Sequence, residues 1–203
     1  MSRVLDIDFL LRPDVVSIAR ELIGKVLVTG KGRTLTSGII TETEAYAGIT
    51  DRASHAYAGR RTERNENMYS PGGIAYVYKC YGIHDLFNVV TNERDVPHAV
   101  LIRAVQPLHG EPLMRRRRGA NGQSMSFGAL SGGPGKLTTA LGITLQHNGA
   151  DLLSGDVRLE DHGMELRATD ILVGPRIGVD YAGDDARLPY RFRVHPEHSF
   201  APR

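Results

Sequence analysis

Residues 74–92 read IAYVYKCYGIHDLFNVVTN. β-Branched and aromatic residues run on both sides of Tyr81-Gly82-Ile83, a pattern that predicts a β-hairpin turning at those three residues. Downstream, Ala99 to Val105 reads as another strand, with Arg103 set inside the otherwise apolar HAVLIRAV. Upstream, Lys25–Thr29 and Thr34–Tyr46 read as two strands around a Gly30-Lys31-Gly32 turn. If the second is regular, Ile40, Glu42, Glu44 and Tyr46 share one face. Pro13–Ile23 carries an apolar helical stripe (Val15, Ile18, Ala19, Leu22, Ile23) and stops at Gly24. Glu111–Arg118 predicts a short helix ending in four arginines, and Pro134–Leu141 a helix entered through the glycines of SGGPGK. VRLE, DILVGPRIGV and YRFRV add short strands. Ala47–Gly73 is polar and turn-rich, too long for an idle connection, and reads as a functional loop. Gly119–Gly128 is poor in apolar residues and reads as a mobile loop. With no repeat and no linker between two cores, residues 1–203 read as a single α+β domain in which antiparallel pairing dominates.

The 203 residues are 41% hydrophobic and 24% charged, which excludes collagen-like, low-complexity and wholly disordered chains. No apolar run approaches the roughly 18 residues of a membrane span. MSRVLDIDFLLRPD places acids where a signal peptide needs an apolar run. A single cysteine, Cys80, cannot form an internal disulfide. These features predict a soluble cytoplasmic protein with no membrane partner. The net charge of +2 identifies no partner, but Arg52–Arg118 holds eleven Lys/Arg against six Asp/Glu. That surplus fits an anionic ligand on one face, or simply an Arg-rich genome, since only four of the 25 basic residues are Lys.

Six of the eight tyrosines fall between Tyr46 and Tyr81. Tyr57, Tyr69 and Tyr76 are accounted for by strand packing. Tyr46, Tyr78 and Tyr81 lie beside Glu44, a basic loop and a turn, as expected of rings that stack a nucleobase. Glu42 and Glu44 are either the solvated face of a strand or a carboxylate site for glycosidic-bond chemistry. Arg103 favours the second reading, because an arginine in an apolar strand needs a carboxylate partner. The eight histidines show no metal-ligand spacing, which excludes a zinc deaminase. SGGPGK lacks the spacing of a nucleotide-binding phosphate loop, though glycines at a helix start with a lysine can still hold a backbone phosphate.

The runs IITETEAYAG, DRASHAYAGRRTERNENMY, GGIAYVYKCYGIHDLFNVV, VLIRAVQPL, LSGGPGKL and RIGVDYAG closely resemble the alkyladenine (3-methyladenine/alkylpurine) DNA glycosylase family. They occur in family order over roughly residues 10–194. ETEAY, the eleven-residue step from Glu44 to His55, and YVYxxYG are together highly specific.

The resemblance implies a compact domain with a curved, mainly antiparallel sheet, flanking helices and a protruding β-hairpin. It implies a monomeric enzyme that flips damaged purines, alkylated or deaminated, out of double-stranded DNA and hydrolyses the N-glycosidic bond. No metal or cofactor is expected. Carried over by motif, Glu44 is the general base, and Arg103 and the backbone carbonyl of Ile177 help it hold the attacking water. Tyr46 and His55 form one wall of the base pocket and Tyr78 the opposing one. Asn88 screens purines with an amine at the two-position, and Tyr81 is the wedge left in the stack. Arg60, Thr62, Arg64, Met68, Ile83 and Lys136 fall where the family meets DNA. Ile83 stands where vertebrate members have methionine. No lysine is placed as a Schiff-base nucleophile, so strand-cutting lyase activity is not expected. A non-catalytic nucleic-acid binder is the alternative, and it would need neither Glu44 nor Arg103.

Overall fold

A computed structural model of the chain describes residues 2–120, 124–198 and 200. Nine strands, β1 (Arg3–Val4), β2 (Val26–Thr29), β3 (Thr36–Tyr46), β4 (Ala75–Cys80), β5 (His84–Thr91), β6 (His98–His109), β7 (Val157–Asp161), β8 (Ile171–Gly174) and β9 (Arg191–Val194), form one antiparallel sheet. The order is β1-β7-β2-β3-β6-β5-β4, and β9 joins β3 to β8. The α+β reading therefore holds: the sheet curls, and helices cover it.

The helices are α1 (Ile7–Leu10), α2 (Val15–Glu21), α3 (Glu111–Arg117), α4 (Phe127–Leu130) and α5 (Pro134–Leu141). Asp14 caps α2 by accepting the amides of Val16 and Ser17, and Gly24 closes the turn beyond it at φ +86°. Ile18 from this helix and Leu22 just after it, Leu137 and Leu141 from α5, and Ile40, Phe87 and Ile102 from the sheet share the main core. The arginine run is chiefly a set of fasteners. Arg115 pairs with Glu111 and reaches the Met125 carbonyl, Arg117 donates to Thr36 and the Ala140 carbonyl, and Arg118 to the Ala129 carbonyl. Of the Gly119–Gly128 stretch, residues 121–123 lie outside the described residues, and Ser126 caps α4.

Two local features of the sheet aim residues at what becomes the site. The first corrects the expectation that Ile40 shares a face with the glutamates. Ile40 pairs with Val105 and Glu42 with Ala104, so Thr41 is an extra residue in β3, a β-bulge. One inserted residue reverses the alternation. Ile40 and Ala45 go to the helix-covered core, while Glu42, Glu44 and Tyr46 turn to the opposite face. The second is the β4–β5 hairpin. Val77, Phe87 and Val89 point into the main core, whereas Tyr76, Tyr78 and Asn88 face the other way. At its tip Tyr81 and Gly82 both take left-handed φ values, +51° and +71°, and the Ile83 amide donates to the Cys80 carbonyl. Gly82 is free to do so; Tyr81 does it at a steric cost and stands 88% exposed.

The two faces of the hairpin should respond differently to truncation. Phe87→Ala is expected to cost about 3–5 kcal/mol of unfolding free energy in a urea titration. Ile83→Ala, at the exposed tip, should stay within about 0.5 kcal/mol of wild type. Similar losses from both would contradict this division.

Candidate active site

On the face of the sheet away from the main core, a cavity of ≈ 510 Å³ opens between β3, β4–β6 and the segment after β8. Tyr46, Tyr78, Asn88, Arg103, Ile177 and Tyr181 are among its lining residues. Beside it, a cavity of ≈ 260 Å³ is lined by Arg52, Tyr57, Arg60, Thr62 and Arg64, and the two share the His55, Arg64, Tyr76 and Tyr181 side chains.

Glu44 has no exposed surface, and its carboxylate is held from three directions. The Ile177 amide donates to Oε1 at 2.8 Å. The Tyr46 hydroxyl and Arg103 Nη1 donate to Oε2 at 2.9 and 3.2 Å. All three partners line the larger cavity, so Glu44 sits directly behind its wall. A carboxylate offers about four acceptor positions, so one remains on Oε1. Burial, followed by the charge of Glu44, pushes the Tyr46 hydroxyl well above the usual tyrosine range and keeps it a donor. Arg103 also donates to Glu42 Oε1 at 3.0 Å, where Arg191 adds a bond of 2.6 Å. Two carboxylates and two guanidiniums thus neutralise one another. The expectation that Arg103 needs a carboxylate is met twice over.

His55 donates to or accepts from the Tyr76 hydroxyl through Nδ1 at 2.8 Å. Its ring meets Tyr78 edge-on at 4.6 Å between centroids. His55 therefore groups with Tyr78 on one wall, not with Tyr46 as the sequence reading had it, because the hydrogen bond to Tyr76 draws the ring onto β4. Burial, reinforced by Arg64 and Arg60, lowers the His55 pKa to about 4, so the imidazole is neutral at pH 7. Asn88 is buried and donates to the Tyr76 carbonyl at 3.1 Å from within the cavity wall.

The remaining predicted contacts fall in different places. Tyr81 and Ile83 stand exposed at the hairpin tip, and Arg60 and Arg64 are exposed beside the cavities. Thr62 is occupied within its loop, its amide and hydroxyl both donating to Asn65 Oδ1. Lys136 lies at the surface in the first turn of α5 and donates to the Gly128 carbonyl at 3.0 Å. Met68 sits deeper than the other residues expected to meet DNA. It is only 2% exposed, packed with Tyr69 and Tyr76, and so forms the floor of the cavity instead of an outer DNA-facing surface. Ile177, expected to hold the attacking water through its carbonyl, meets Glu44 through its amide as well.

Three residues escaped the sequence reading. Tyr181 stands 71% exposed at the mouth of both cavities, and Asp51 and Arg176 form a buried ion pair behind Tyr46. Tyr181 and Arg176 both lie in the RIGVDYAG run, but nothing in its pattern marks either as a site residue. Among the described residues no three His, Cys, Asp or Glu side chains converge as metal ligands, and no helix is long and apolar enough to cross a membrane.

The sequence matches the model of the methylpurine-DNA glycosylase family over residues 8–198. A Chlamydia abortus protein named "Putative 3-methyladenine DNA glycosylase" is 49% identical over 187 residues, covering 92% of this chain and 96% of its own. Proteins of the same name from Bacillus cereus (41% over 184 residues, 88% and 90% covered) and Clostridium novyi (37% over 185 residues, 89% and 90% covered) align along the same length. Matches of this extent span the bulged strand, the hairpin and the Ile177 segment alike, and this chain belongs to the methylpurine-DNA glycosylase family, enzymes that act on the bases of DNA.

Proposed function

We propose that this protein, acting as a monomer, rotates alkylated or deaminated purines out of duplex DNA and hydrolyses their N-glycosidic bond, leaving an abasic site. The observation that carries the reading is Glu44. It is a buried carboxylate with three donors and one acceptor position left over, behind the wall of a cavity within the usual size range of ligand sites. A non-catalytic binder has no use for such a group, since burying it costs several kcal/mol before compensation.

Extrusion of a base costs a few kcal/mol, least for a damaged pair. Tyr81, exposed and already bent outward, is suited to occupy the vacated stack, where a base–aromatic contact is worth roughly 1–3 kcal/mol. Arg60 and Arg64 beside the cavities, together with exposed Lys136 and Ile83, would steady the duplex through its phosphates and groove. Thr62 would contribute through the loop it ties. The flipped purine would lie between Tyr46 and the His55–Tyr78 wall. A cationic alkylpurine gains more from these electron-rich rings than a neutral base does. Asn88, fixed to the Tyr76 carbonyl, would meet the purine edge and disfavour an amine at the two-position.

An alkylated purine already carries the positive charge that makes it a good leaving group. Water need only attack C1′ while Glu44 takes its proton. The C1′–N bond breaks with its electron pair going to the base; a cationic alkylpurine departs neutral, and a neutral deaminated purine departs as an anion that takes a proton from water. The carboxylate charge meanwhile opposes the charge on the oxocarbenium-like sugar. Arg103 and Ile177 orient the carboxylate. Lys79 pairs with Asp85 at 2.8 Å and Lys136 with the Gly128 carbonyl, and neither is among the lining residues of the larger cavity. These placements favour water over an amine as the nucleophile and support the reading of a monofunctional enzyme.

Incubation with methylated duplex DNA tests this directly. The expected products are free 3-methyladenine and abasic sites that break only on alkali treatment, at a rate unaltered by EDTA. Strand breaks without alkali would contradict the monofunctional mechanism. Tight binding without base release would leave only the binding reading.

The neutral His55 gives a second test. Its pKa is lower in the folded chain, about 4, than the ordinary 6.5, so between those values the unfolded chain holds the proton and the folded chain does not. Stability is therefore full above pH 6.5 and declines as pH falls to 4, by about 3 kcal/mol from this residue. Chemical denaturation of His55→Gln should show a correspondingly flatter decline across that window. An unchanged slope would mean that His55 is protonated in the folded protein.

A further inference from the structure

We propose that the buried Arg176–Asp51 pair is a positioning device for the chemistry: it holds the Ile177 amide against Glu44 and thereby fixes the carboxylate behind the cavity. The inference rests on the reading of Glu44 as the base.

Arg176 and Asp51 are completely enclosed, with side chains 0% and 1% exposed. They meet as a two-pronged pair, Nη1 to Oδ2 at 2.5 Å and Nη2 to Oδ1 at 2.8 Å. Such a pair is a poor way to gain stability, because desolvating both charges consumes most or all of the attraction between them. Its connections suggest a different use. Asp51 accepts the amides of Ala47 and Ala53, both at 3.0 Å, and so shapes the turn that carries the chain from Tyr46 towards His55. Arg176 donates to the Ala45 carbonyl at 2.9 Å, between Glu44 and Tyr46, and to the Asp185 carbonyl at 3.1 Å. Its guanidinium carbon lies 4.8 Å from the Tyr46 ring centroid and 5.2 Å from that of Tyr190.

The next residue is Ile177, whose amide donates to Glu44 Oε1. Among the described residues, no backbone–backbone hydrogen bond ties 175–178 to the rest of the fold. The segment leaves the sheet after Gly174 and re-forms a main-chain bond only at Val179–Ala182. What anchors the Ile177 N–H is therefore the Arg176 side chain, clamped to Asp51 and to the backbone of β3 itself. One guanidinium sets three things at once: the donor on Oε1, the ring of the tyrosine that donates to Oε2, and the strand bearing the carboxylate.

A positioning role separates rate from binding. The wedge, the phosphate contacts and the His55–Tyr78 wall stay in place when the pair is weakened, but the carboxylate and the Tyr46 ring that donates to it do not. The test uses Asp51→Asn and Arg176→Lys in the full chain, with two readouts at a temperature where each variant is folded. One is the single-turnover rate of 3-methyladenine release from methylated duplex at saturating enzyme. The other is affinity for a duplex carrying an abasic-site analogue, which has no base to excise. The single-turnover rate should fall about tenfold to a hundredfold, as for a misplaced catalytic group. Affinity should remain within about threefold of wild type, and Arg176→Lys, which keeps a cation opposite Asp51, should be the milder variant. Should Asp51→Asn fail to fold, Arg176→Lys decides on the same two readouts. Wild-type rates in the folded variants, or rate and affinity falling together, would overturn the proposal. Absence of base release by the wild type, or full activity of Glu44→Gln, would instead defeat the reading of Glu44 on which it rests.

Discussion

A carboxylate with no access to solvent must be met by donors, and the architecture around Glu44 supplies them from three separate parts of the chain. Tyr46 comes from the same strand, Arg103 from β6, and the Ile177 amide from the segment after β8. Leaving such a charge uncompensated would cost several kcal/mol, a large share of the stability of a domain this size. The bulge at Thr41, the arginine in an apolar strand and the irregular course after Gly174 each place one of these elements. Regular secondary structure at any of these points would leave Glu44 either in the helix-covered core or short of a donor.

The two glutamates illustrate how environment divides similar groups. Glu42 lies two residues from Glu44 on the same face, and both touch Arg103. Glu42 shares its Oε1 with a second guanidinium, Arg191, and remains partly exposed. Glu44 has a neutral tyrosine hydroxyl and a backbone amide for its other partners, and no exposure at all. Glu42 thus takes two guanidiniums on one oxygen, while Glu44 shares Arg103 with it, is otherwise held by directional neutral donors and is free to accept one more. Under the proposed mechanism, which develops a cation on the sugar, a fixed negative charge screened from water acts more strongly than the same charge at the surface.

Much of this was legible in the residues. The Tyr81-Gly82 turn, the Gly24 stop and the demand of Arg103 for a carboxylate follow from local pattern, and each took its expected place. What stayed hidden depends on contacts distant in sequence or on a single backbone irregularity. The bulge at Thr41 leaves no mark in TSGIITETEAY, so Ile40 was assigned to the wrong face. His55 moved to the Tyr78 wall because of one hydrogen bond to Tyr76, twenty-one residues away. Met68 reads as a loop residue and is buried by rings from elements on either side. Asp51 and Arg176 meet across 125 residues, each indistinguishable in the sequence from a surface charge.

The central claim is that Glu44, not Glu42, performs the proton transfer, and single-turnover excision of 3-methyladenine from methylated duplex at saturating enzyme tests it most directly. Glu44→Gln keeps the shape and the hydrogen-bonding length but removes the proton acceptor and the charge. Its rate is predicted to fall by about 10²–10⁴-fold or more, with DNA binding retained. Glu42→Gln should slow the step by no more than about tenfold, through Arg103. A Glu44→Gln protein that cleaves at nearly the wild-type rate, beside an inactive Glu42→Gln, would contradict the account.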